Sequence, residues 1–229
     1  MNWAALGLPF SLPGSAAISL SALFATPFYR TTLGFEAREA LGALLLERAT
    51  LDNKHPDSPQ SAHASVYESK FDLFHWPDLA IRSLKDRIFD HVMRYAVGTS
   101  GFTQAELAQL TFRHESWFHV TRSGGYFQPH SHPLASVSLI YCLDPGDETV
   151  ADPREAGEVL FTDPRHGASM YLDPANRTMQ RTFSFNGLRF RLSPDDLLIF
   201  PSYLQHCVDP YVGERPRITV AANLSFALK

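Results

Sequence analysis

The sequence predicts a mainly β protein with helices in its N-terminal half, α+β overall, whose strands pack as a double sheet. Three observations carry this. Apolar residues recur at helical spacing up to about residue 111. From Phe112 onward, short apolar runs alternate with turn signals instead. Within that second stretch Asp-Pro pairs recur at Asp144, Asp152, Asp163 and Asp173, roughly every ten residues, the spacing of turns in an all-β sandwich or barrel.

Taken in order, residues 1–28 are apolar but lack a basic start and are interrupted by Pro9, Pro13 and Gly14, so they read as a partly extended segment of the mature chain rather than a signal peptide. Phe35 to Glu47 has helix formers with apolar residues at helical spacing. A polar loop with Pro56 and Pro59 follows, from Asp52 to Ser65. Ala80 to Tyr95 forms an amphipathic helix with Ile81, Leu84, Ile88, Val92 and Met93 on one side. Thr103-Gln104-Ala105-Glu106 is a capping-box pattern that opens a short third helix. In the β half, Thr182–Phe185 and Leu188–Leu192 flank Asn186-Gly187, which predicts a hairpin with a type I′ turn. Leu197–Phe200 reads as a buried strand, and Arg217–Phe226 as the last one. The polar, Pro/Gly-punctuated stretch from Asp144 to Glu158 is a candidate lid. The expectation is a single domain, 1–229, in which 1–111 forms a helical and extended elaboration packed on a core of 112–229.

Composition narrows the function. A formal charge of −4 and the absence of a basic stripe speak against a nucleic-acid partner. No apolar run is long enough to span a membrane. Two cysteines without a CxxC pair, Cys142 and Cys207, point to a reducing, cytoplasmic setting and against a thiolate zinc site. A homodimer is compatible with the sequence and not specified by it.

The chemistry is concentrated in two places. In Gln128-Pro129-His130-Ser131-His132-Pro133, strand alternation puts His130 and His132 on one face, so that two imidazoles can share one metal ion. His206, which follows a buried strand, is the best third ligand. His55, His63, His114 and His166 read as ordinary surface or core histidines. In the last strand, Ile218, Val220, Ala222, Leu224 and Phe226 share an apolar face, while Arg217, Thr219, Ala221 and Asn223 share the other. If that second face is buried, Arg217 needs an anion. A guanidinium holds a carboxylate in a two-pronged fork, and a hydroxyl two residues on can add a third bond.

Together with Trp117, Gly125-Tyr126, Ser138, Tyr141, Phe161, Asp196, Pro201 and Val208, these motifs resemble the 2-oxoglutarate- and Fe(II)-dependent oxygenases, in particular a branch with His-x-His at the first two metal positions. The resemblance is strong over the second half of the chain and loose over the first. It implies a double-stranded β-helix, or jelly roll, with a metal between its sheets. His130, His132 and His206 would then be the metal ligands. Arg217 would grip the distal carboxylate of 2-oxoglutarate with help from Thr219, and Tyr126, Tyr141 and Asn223 would be further cosubstrate contacts. The implied cofactor is Fe(2+), and the implied cosubstrates are 2-oxoglutarate and O2. The superfamily usually has a carboxylate where His132 stands. Three neutral imidazoles leave an Fe(II) site at charge +2 rather than +1. Two alternatives follow from that departure. One is an acid such as Asp209 or Glu115 completing the site. The other is a cupin-like metalloenzyme, zinc-bound or a dioxygenase without 2-oxoglutarate.

Overall fold

The computed structural model describes residues 22–56, 65–147, 150–181 and 183–229. Most of the predicted N-terminal extended segment, and His63, lie outside them. The helices are α1 (Arg38–Arg48), α2 (Leu79–Thr99), α3 (Gln104–Leu107) and α4 (Pro174–Arg177). The strands are β1 (Tyr29–Thr32), β2 (Val66–Glu68), β3 (Leu110–Thr121), β4 (Gly125–His130), β5 (Val137–Asp144), β6 (Val159–Phe161), β7 (Leu188–Phe190), β8 (Asp196–Pro201), β9 (His206–Tyr211) and β10 (Arg217–Leu228).

They form two antiparallel sheets, in the order β1-β8-β5-β10-β3-β2 and β4-β9-β6-β7. Strands β3 to β10 alternate between the sheets as in a double-stranded β-helix, except that β6 and β7 pair side by side in the smaller one. The N-terminal part adds β1 and β2 as the two edges of the larger sheet. Helices α1 and α2 cover the outer face of that sheet. They bury Leu41 and Leu45 from α1, and Ile81, Leu84, Ile88 and Val92 from α2, against Phe118, Val120, Leu139, Ile199, Val220 and Leu224. Each such side chain contributes about 1.5–3 kcal/mol by leaving water. A second core lies between the sheets, where Phe28, Phe161, Phe190 and Phe200 pack edge to face and stacked, closing one side of the sandwich.

The Asp-Pro pairs at Asp144, Asp152, Asp163 and Asp173 all turn the chain in the same way, whereas Asp209-Pro210 lies within β9. The side chains of Asp144, Asp152, Asp163 and Asp173 each accept the backbone N–H two residues on, at 2.8–2.9 Å. Thr103 and Glu106 form the predicted capping box at the start of α3.

The predicted hairpin does not form. Residues Phe183 to Phe185 are not a strand, and β7 pairs with β6 instead. Phe183 and Ser184 turn back onto the Gln180 carbonyl. Gly187 serves close packing rather than a turn, since a Cβ there would sit 3.0 Å from Leu160 Cδ1 and 3.1 Å from the Phe161 carbonyl. Within the candidate lid, one glycine packs on Arg217. Gly157, at φ +65°, lies so close to Arg217 that a Cβ would be 3.2 Å from its Cδ. Gly157 therefore helps to close the Arg217 end of the sandwich.

Candidate metal centre

Pro129 is tolerated in β4 because this is an edge strand, where its missing N–H costs no ladder bond. The strand ends at His130, which pairs directly with His206 at the start of β9. His132 lies beyond the strand, in a turn fixed by its own N–H to the Ser202 carbonyl at 2.9 Å and by Ser136 N–H to the Leu224 carbonyl at 2.8 Å. Ring centroids are 4.4 Å apart for His130–His206, 5.2 Å for His130–His132 and 5.3 Å for His132–His206. One ring nitrogen from each lies within 4.8 Å of the others.

The backbone sets two of the tautomers. His130 Nδ1 donates to the Gln128 carbonyl at 2.7 Å, and His206 Nδ1 to the Leu204 carbonyl at 3.0 Å. That leaves Nε2 bare on each, the form a metal requires. Burial, reinforced by the neighbouring imidazoles, lowers the pKa of all three. His132 falls to about 4 and His206 to about 3. Three neutral imidazoles turned toward one another fit a divalent transition-metal ion.

The histidines stand at one end of a cavity of about 290 Å³ between the sheets. Arg217, Thr219, Ala221 and Asn223 line it from β10, while Ile218, Val220, Ala222 and Leu224 of the same strand face the helices. Arg217 is 3% exposed and no carboxylate among the described residues pairs with it, so burial presses its pKa downward, opposed only by Cys142 and Tyr211. A buried lone guanidinium calls for an anionic ligand. Asn223 Oδ1 accepts from Ser138 Oγ at 2.7 Å, in a polar chain that continues to Ser202 at 2.8 Å.

Two predicted contacts are not in this cavity. Tyr141 faces the helix-side core, where its hydroxyl donates to Asp195 Oδ1 at 2.6 Å. Asp195 also holds the Phe35 N–H and takes a left-handed φ of +74° to do so. Tyr126 alternates with Phe127, whose ring lines the cavity, and so faces away from it. The two acids considered as ligands are also elsewhere, Asp209 being ion-paired with Arg189 and Glu115 exposed. Conversely, Glu68, His119 and Trp117 line the cavity. Trp117 and His119 could have been found from alternation along β3, but nothing in the sequence pairs Glu68 with them. Cys142 and Cys207 are free, and burial pushes the Cys142 thiol up to about 12.

Residues 115–223 match the family model described as "Putative 2OG-Fe(II) oxygenase". No curated protein sequence matches the chain. Solved structures do. A Pseudomonas putida prolyl-4-hydroxylase is similar with a TM-score of 0.60 at 13% identity, over 87% of this chain and 92% of that one. A prolyl hydroxylase from Trichoplax adhaerens, in complex with a peptide of hypoxia inducible factor, gives 0.56 at 12%, over 86% and 83%. HygX from Streptomyces hygroscopicus, with nickel and 2-oxoglutarate bound, gives 0.53 at 14%, over 88% and 83%. At these identities the structural likeness establishes the fold.

Proposed function

We propose, from the premise that this chain belongs to the 2OG-Fe(II) oxygenase family through residues 115–223, that His130, His132 and His206 hold its iron and that Arg217 and Thr219 hold its 2-oxoglutarate. The enzyme is a 2-oxoglutarate-dependent oxygenase, and its cosubstrates are 2-oxoglutarate and O2. The observation that carries the residue assignment is the buried, unpaired Arg217 at the far end of the same cavity as three converging imidazoles.

When bound, Fe(II) supplies the redox chemistry that couples oxidative decarboxylation of 2-oxoglutarate, to succinate and CO2, with oxidation of a substrate by O2. The chain's own residues do the rest. The backbone carbonyls of Gln128 and Leu204 fix the tautomers of His130 and His206. Arg217 and Thr219 orient a dicarboxylate along the β10 face, its distal carboxylate at the sealed end. Phe127, Val159, Phe200 and Val208 line the space between the two ends and keep water from it.

Among the described residues no helix is long and apolar enough to cross a membrane. The mild acidity of the chain and its free cysteines support a cytoplasmic enzyme without a nucleic-acid partner. The chain is read as one domain, since β1 and β2 complete the sheet that carries Arg217. A cupin-like enzyme without 2-oxoglutarate is not favoured, because it leaves Arg217 without an anion.

The test is succinate formation under air. It should require both Fe(II) and 2-oxoglutarate and disappear in His206→Ala. Turnover that persists with zinc bound and iron chelated would instead support the cupin-like reading.

A further inference from the structure

The cavity contains an acidic side chain that neither the three histidines nor Arg217 uses. Glu68, on β2, is 7% exposed and lines the wall beside Trp117, His119 and Phe127. Its Oε2 lies 2.8 Å from His119 Nε2, and among the described residues no lysine or arginine pairs with it. The same ring nitrogen lies 3.0 Å from Trp117 Nε1. A single Nε2 serves only one of these neighbours in a given tautomer. With its hydrogen it donates to the carboxylate, and without it accepts from the indole. The carboxylate contact is shorter and charge-assisted, so the hydrogen belongs on Nε2. Glu68 thus brings a carboxylate to this wall with a histidine, and no lysine or arginine among the described residues, as its partner.

That charge stands directly behind the rings on which the metal histidines rest. His119 packs on Phe127 at 4.6 Å between centroids, and Phe127 on His130 at 6.1 Å. Trp117 likewise lies 6.3 Å from His119 and 6.0 Å from His132. Aromatic rings therefore separate the pair from two of the three histidines, and a carboxylate at this depth acts through a medium less polar than water.

We propose that Glu68, held by His119, is an outer-sphere counter-charge that replaces the carboxylate missing from position 132. This rests on the reading that His130, His132 and His206 hold the metal. With an inner carboxylate, a divalent metal, one arginine and dianionic 2-oxoglutarate sum to zero. With histidine at position 132 the same set is left at +1, and Glu68 returns it to zero. Glu68 acts through space, since it stands outside the group of three histidines whose ring nitrogens converge, so it is a positioning residue.

The experiment is calorimetric binding of Mn(II), a redox-silent probe, to the metal-free full chain without cosubstrate or substrate. Glu68→Gln should weaken binding roughly tenfold. Glu68→Asp, which keeps the charge, should stay within about threefold of wild type, and the metal-free melting temperature of both should be unchanged. Should Glu68→Gln fail to fold, the pair replacement Glu68→Met/His119→Leu removes the charge without orphaning a partner, and the same weakening is expected. Mn(II) affinity within about twofold of wild type in the charge-free variants overturns the proposal, as does an equal loss in Glu68→Asp. Wild-type protein that binds no Mn(II) overturns the metal site itself, a result separable from the other two.

Discussion

A guanidinium sealed between two sheets without an anion is strained electrostatically, and Arg217 is in that state until a ligand arrives. Arg217→Met, which keeps the length and removes the charge, should therefore separate stability from function. The metal-free protein should melt a few degrees higher, reflecting about 1–3 kcal/mol of relieved desolvation. Binding of 2-oxoglutarate should weaken by at least roughly a hundredfold, from the loss of charge-assisted hydrogen bonds. Thermal melting and equilibrium binding check the two halves. This residue was legible in the sequence because β10 alternates cleanly, apolar toward the helices and Arg-Thr-Ala-Asn toward the cavity. Tyr141 was not. Strand β5 is buried along most of its length on both faces, so its pattern carries no parity, and the tyrosine belongs to the knot around Asp195. His132 was legible as a ligand, but alternation was not its cause. The strand stops at His130, and a turn bound to Ser202 supplies the geometry.

At the scale of elements, β6 and β7 form the pair that the sequence misassigned. Asn186-Gly187 has the composition of a hairpin turn, and local composition outweighed the distant partner, which lies across a connection of 26 residues between Phe161 and Leu188. Local rules cannot see such a pairing. The structure gives Gly187 a different duty, which yields a prediction. In a type I′ turn at the surface, Gly187→Ala would cost strain at a positive φ. Here it drives a methyl against Leu160 and the Phe161 carbonyl, the latter belonging to the residue that pairs with His206. The variant should lose about 1–3 kcal/mol in denaturant unfolding. Replacing Leu160 with Ala alongside it should recover part of that loss, because it removes the atom the methyl meets; no recovery would contradict the close-packing role. The Asp-Pro turns behave oppositely to the hairpin. Each is satisfied within three residues, so the sequence alone was enough to place them.

At the scale of the whole molecule, the fold places five buried or half-buried imidazoles where the charged form is disfavoured. His130, His132, His206, His91 and His114 all have lowered pKa values, burial being the first cause in each. The unfolded chain takes up protons near pH 6.5, whereas the folded metal-free protein resists until nearer pH 4 to 3 at His132 and His206. The unfolded state therefore binds more protons across that window. Stability of the metal-free protein is complete above about pH 6.5 and falls as pH drops, by up to about 1.4 kcal/mol per pH unit for each imidazole. Thermal melting between pH 7 and pH 5 should show the decline, and saturating metal should shift it to lower pH, since protons and metal compete for the same nitrogens. A melting temperature flat across that range would contradict imidazoles held neutral by burial. The two-layer architecture itself was readable, since the change from helical to alternating rhythm near residue 111 coincides with the start of β3 at Leu110. What joins the halves was not readable, because β1 and β2 are short edge strands that gain their partners only in the folded sheet. The central claim is that one cavity holds a metal at its three histidines and a dicarboxylate at Arg217. Crystals grown without oxygen in the presence of Mn(II) and 2-oxoglutarate test it most directly. The expected result is anomalous density for one ion bound by Nε2 of His130, His132 and His206, with 2-oxoglutarate chelating it and its far carboxylate forked on Arg217. An ion bound elsewhere, or Arg217 paired with a protein carboxylate while 2-oxoglutarate lies outside the sheets, would contradict it.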